Sequence, residues 1–143
     1  MMYVVFIVAM LCALGQQVYA VDQSSKTEKM AEETTPKYLY KVLSIEDWKT
    51  SQSLSSVQLP PADNDFIHFS KEDQLDRIIS KYWAGIPEYV ILKIDTTKLP
   101  GKMVFEVNVG GITKYYHLYS GSIPLDAVVE AKVVTAPEKE AGH

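Results

Sequence analysis

Alternating strand and helix signals in a chain of 143 residues predict one α+β domain, with two main helices packed on mixed or antiparallel sheet. Three observations carry this expectation. Short segments rich in β-branched and aromatic residues recur between glycine, proline and serine breaks. Two of them run straight into Ser-x-x-Asp sequences of the kind that open helices. The composition, 47% hydrophobic and 22% charged, is that of a chain able to bury a core.

In chain order, Tyr38 to Leu43 reads as a strand, and Ser44 with Asp47 resembles a capping box opening a short helix through Trp48. Pro60 and Pro61 break the loop Gln58 to Asn64. Phe66 to Phe69 reads as a second strand, followed by a second capping signal at Ser70 and Asp73. The spacing of Leu75, Ile78, Ile79, Tyr82 and Trp83 predicts a helix burying one face, stopped by Gly85 and Pro87. Tyr89 to Ile94 is the most apolar strand and is expected at the centre of a sheet. Met103 to Val109 and Thr113 to Tyr119 read as a hairpin turning at Gly110-Gly111, and Val128 to Val134 as the last strand.

The ends of the chain read differently. Residues Val4 to Leu14 are an unbroken apolar run, followed by Gln16-Gln17 and ending at Val18-Tyr19-Ala20, the small-residue pattern of a signal-peptide cleavage site. The run is shorter than the roughly 20 residues of a membrane span. The absence of Lys or Arg before it leaves an uncleaved anchor as the alternative. Residues 1–20 are therefore read as a signal peptide for secretion or the periplasm, 21–37 as a flexible linker, 38–135 as the globular domain and 136–143 as a disordered tail. The single cysteine, Cys12, falls inside the leader, so the mature domain has no thiol chemistry, cysteine metal site or disulfide. A net charge of -4 and a lone arginine, Arg77, argue against nucleic acid as a partner. Nothing in the sequence sets the oligomeric state.

Strand alternation localises the candidate chemistry, since successive side chains point to opposite faces. Phe66, His68 and Ser70 share one face, with Ile67 and Phe69 on the core side; Thr113, Tyr115, His117 and Tyr119 share another; Glu106 lies with Val104 and Asn108. If these faces line one hollow, His68, His117 and Glu106 are the catalytic candidates, with Ser70, Tyr115 and Tyr119 as ligand contacts. Each has a structural reading too: strand histidines commonly satisfy buried hydrogen bonds, and tyrosines are good strand formers. Two histidines and a carboxylate are also zinc donors, but no HExxH spacing supports that and the three lie apart along the chain, so no metal site is expected.

The blocks Asn64-Asp65-Phe66-Ile67-His68-Phe69-Ser70, Tyr89 to Asp95, Glu106, and His117-Leu118-Tyr119 followed by Ile123-Pro124-Leu125-Asp126-Ala127-Val128 resemble the domain of unknown function family numbered 952, over Tyr38 to about Val134. Two departures stand out: Asp65 occupies a usual glycine position, and Ser120-Gly121-Ser122 lengthens the turn after the second block. The resemblance implies an ADP-ribosyltransferase-like fold holding a nucleotide, NAD among them, between two sheets. It also implies roles: His68 would orient the ribose, Tyr119 would stack on nicotinamide, and Glu106 would stabilise positive charge in the transition state. The related RNA 2'-phosphotransferases grip phosphate with several arginines, which this core lacks, so that particular reaction is not expected. Two readings follow: a transferase acting on NAD or a related nucleotide, or an exported domain that keeps the cleft without catalysis.

Overall fold

The computed structural model describes residues 34–136; the leader, the tail beyond residue 136 and the linker up to residue 33 lie outside the described residues. Six strands form two antiparallel three-stranded sheets, and two short helices accompany them, so the architecture is α+β. The first sheet has the order β1 (Tyr38–Ser44), β3 (Glu88–Asp95), β6 (Val128–Thr135), with β3 central as its apolar sequence predicts. The second has the order β2 (Ile67–Phe69), β5 (Lys114–Tyr119), β4 (Lys102–Val107).

Alternation along the strands builds one core. Leu39, Leu43, Val90, Leu92 and Ile94 of the first sheet meet Ile67, Phe69, Tyr116 and Leu118 of the second, all of them almost inaccessible to solvent. The sheets are joined where Tyr40 and Ser70 exchange backbone hydrogen bonds of 2.8 and 2.9 Å. The β4–β5 hairpin turns at Gly110, whose φ of +77° suits glycine, and Gly111 N–H donates to Asn108 O at 2.8 Å.

The first helix begins as expected. Ser44 Oγ accepts from Asp47 N–H at 3.1 Å, opening α1 (Ile45–Ser51). The second does not. Ser70 is committed to its bridge with Tyr40, so the cap moves to Lys71, whose N–H donates to the Gln74 side chain at 2.9 Å. A 3₁₀ turn, Glu72–Gln74, leads into α2 (Leu75–Ile78), which widens into a π turn at Ile79–Trp83. The expected face is half-buried rather than sealed: Leu75, Ile78, Ile79 and Trp83 are half-buried while Asp76, Arg77, Ser80 and Lys81 are exposed, and Tyr82, at 58% exposed, departs from it. The π turn displaces Tyr82 from that face, and such turns recur at functional sites. Trp83 still packs beside Tyr89, 5.7 Å between ring centroids. Among the described residues no helix is long and apolar enough to cross a membrane.

Candidate functional site

Opposite the core, the second sheet carries both histidines. The β2–β5 register sets His68 directly across from His117, with ring centroids 5.1 Å apart. Phe66, just before β2, stacks on His117 at 4.3 Å and lies 4.8 Å from His68 and 5.1 Å from Tyr119. Sequence alternation thus groups the histidines on one face, but their surroundings differ sharply.

His68 rests on a buried charged array. The Asp63 carboxylate accepts from the His68 backbone N–H at 3.1 Å and meets its ring Nδ1 at 2.8 Å. Lys41 Nζ lies 2.7 Å from the other carboxylate oxygen and donates to His68 O at 2.9 Å. Both charged side chains are sealed, with Lys41 6% and Asp63 2% exposed, whereas the His68 side chain is 39% exposed. Burial alone would push the Asp63 carboxyl up; the His68 hydrogen bonds and the Lys41 charge outweigh it and hold the group below its ordinary value. Burial pulls Lys41 below the usual lysine range, against the opposing pull of Asp63. With Nδ1 committed to a carboxylate, Nε2 is the nitrogen that His68 offers a ligand.

His117 is arranged the other way round. Its ring is 1% exposed, with Nδ1 2.9 Å from Glu106 Oε1 and Nε2 2.8 Å from Asn108 Oδ1. Glu106 is 36% exposed and also accepts a short hydrogen bond from the Tyr119 hydroxyl. The Tyr119 and His117 hydrogen bonds hold Glu106 below the ordinary carboxylate range, and Glu106 in turn raises Tyr119.

A cleft of about 470 Å³ opens over His68, lined by Tyr40 and Val42 of the first sheet, by Phe66, Ser70 and Tyr115 on the second-sheet side, and by Trp83 of the π turn. Of the residues singled out in the sequence, His68, Ser70 and Tyr115 line it. His117, Glu106 and Tyr119 do not; they lie in the layer beside it. Asp65 and the Ser120–Ser122 turn also lie off its walls, so neither departure alters the lining. A second hollow of about 310 Å³ shares Ile78, Tyr82, Asn108 and Tyr115 with the cleft and adds Arg77, Lys81 and the Gly110-Gly111 turn. Arg77 Nη1 donates to Thr113 Oγ1 at 3.2 Å, which fixes the guanidinium on that rim. Among the described residues no three His, Cys, Asp or Glu side chains converge as metal ligands.

Sequence reasoning missed Lys41 and Asp63. Lys41 had a signal: it sits in the inward phase of β1 between Leu39 and Leu43, where a charge requires a buried partner. Asp63 closes a 3₁₀ turn in a proline loop, which no periodicity marks.

The family model for the protein of unknown function DUF952 matches residues 42–131. The chain belongs to the DUF952 family. Among solved structures it is similar to protein CC0527 from Caulobacter crescentus, at 23% identity and a TM-score of 0.59, covering 67% of this chain and 84% of that one. A double mutant of CC0527 gives 22% and 0.58 over the same shares. At this identity the likeness shows a shared fold. No curated protein matches the chain.

Proposed function

We propose that the cleft over His68 binds a small ligand with a flat apolar body and an anionic end, a nucleotide of the NAD type being the class that the family resemblance suggests. The observation that carries this reading is the Asp63–His68 pair. An ionised carboxylate is kept under the floor of an apolar cleft, compensated by a buried lysine, and its effect is to orient one partly exposed imidazole toward the hollow. Phe66, Trp83 and Tyr115 supply flat apolar walls, and Arg77 with Lys81 supplies positive charge where phosphates would extend. A cleft walled by strands of both sheets is also what an ADP-ribosyltransferase-like architecture requires.

Between transferase and binding domain, the geometry favours binding. His117 has both ring nitrogens engaged by side chains and Glu106 is off the cleft wall, which supports binding over catalysis by the three candidates together. Export is inferred from the apolar run Val4 to Leu14 and its Val18-Tyr19-Ala20 ending. The test is thermal unfolding with and without NAD. Ligand at about 100 times its dissociation constant stabilises by roughly 2.7 kcal/mol, a rise of about 10 °C or more for a domain of this size. The same addition should leave His68→Ala unmoved. No shift of the native chain at millimolar NAD overturns the nucleotide reading.

A further inference from the structure

The far edge of the first sheet carries a second message, independent of the cleft. Strand β6 pairs with β3 along one side, and no other described strand pairs with its opposite side. Ala136 N–H donates to Pro87 O at 2.8 Å. Because backbone groups alternate in direction along a strand, residues 134, 132 and 130 then bond toward β3, while 135, 133 and 131 present N–H and C=O to the open side. Side chains are uncovered there too. Val133 and Ala131 stand in register with the fully buried Val90 and Leu92, yet Val133 is 54% and Val129 48% exposed. The core row runs out to a partly apolar edge that no described strand covers.

The polar and apolar pattern of this edge reads the same in both directions. In Val128-Val129-Glu130-Ala131-Lys132-Val133-Val134, hydropathy is symmetric about Ala131, and the only charges, at equal distance from it, have opposite sign. We propose that β6 pairs antiparallel with β6 of a second copy about a two-fold axis at Ala131. That register sets Glu130 against Lys132 of the other copy twice over, and Val129 against Val133, so one surface complements itself as a two-fold interface demands. The β-bulge against Lys93 and Ile94 falls at Val129 and limits the paired stretch, so the dimer is a weak, concentration-dependent one.

Sedimentation velocity of the full-length chain over a range of concentrations tests this. The wild type should pass from monomer to dimer. Glu130→Lys converts two attractions into two repulsions and should raise the dissociation constant about tenfold or more. The double variant Glu130→Lys with Lys132→Glu exchanges the charges and should restore wild-type association. Both positions are exposed, so unfolding curves of the variants should match the wild type and serve as the folding control. Self-association through the apolar run at Val4 to Leu14 would be indifferent to residue 130. A chain that stays monomeric, or one whose association ignores Glu130→Lys, overturns the proposal.

Discussion

The two histidines face each other across one strand pair, yet their environments are inverted. At His68 the acid is buried and the imidazole partly open; at His117 the imidazole is buried and the acid partly open. A buried carboxylate needs a buried cation, which Lys41 supplies, and the cost of that ion pair is accepted in order to hold an imidazole at a cleft wall. A buried imidazole needs only two polar neighbours: Glu106, off the cleft, and Asn108, on its wall, satisfy both of its nitrogens. The same residue type at neighbouring positions thus divides between presenting a nitrogen to the cleft and tying three side chains together.

The contrast can be broken most severely at Asp63. Asp63→Ala leaves the Lys41 ammonium buried without its partner and should cost about 3 to 5 kcal/mol, roughly 15 °C in melting temperature. Next, His117→Ala should cost roughly 2 to 3 kcal/mol by opening a cavity and stranding Asn108, with NAD binding reduced only in so far as Phe66 and Asn108 shift on the cleft wall. His68→Ala is the reverse: a loss of about 1 to 2 kcal/mol, since the buried Asp63 keeps Lys41 and the backbone N–H of residue 68 but loses the imidazole, with the NAD-induced melting shift gone. If both alanine variants lose the same stability and the same binding, the division between the histidines is wrong. A finer test lies at Arg77→Gln, which should weaken NAD several-fold in calorimetry while leaving adenosine, which has no phosphate, unaffected.

The smallest effects concern protons. Because folding lowers the Asp63 pKa, its contribution to stability is complete above the ordinary value of 3.8 and is lost as the pH falls through the lower folded value. Melting temperature against pH should therefore drop more steeply at the acid end in the wild type than in Asp63→Asn. Tyr119→Phe removes the first of the hydrogen bonds that lower Glu106, so an NMR titration should find that carboxyl nearer its ordinary 4.5, with melting barely changed.

The place of each strand was legible in the sequence, to within one or two residues at its ends, because a strand declares itself locally, through alternation and the breaks that bound it. The Gly110-Gly111 turn and the central place of β3 were legible for the same reason. The second helix was legible in part: its apolar spacing marks the half-buried side, but Ser70 is taken by Tyr40 and the chain widens into a π turn beside the cleft. Alternation also grouped His68 with Phe66 and Ser70, and His117 with Tyr115, before any coordinates.

What the sequence determined by itself is therefore the list of strands and which side chains share a face, since both depend on neighbours a few residues away. Which of two equivalent histidines opens to a cleft was decided only by the tertiary structure. That choice depends on a lysine from β1 and an aspartate from a proline loop meeting in the interior, and a pairing over that separation has no local periodicity to announce it.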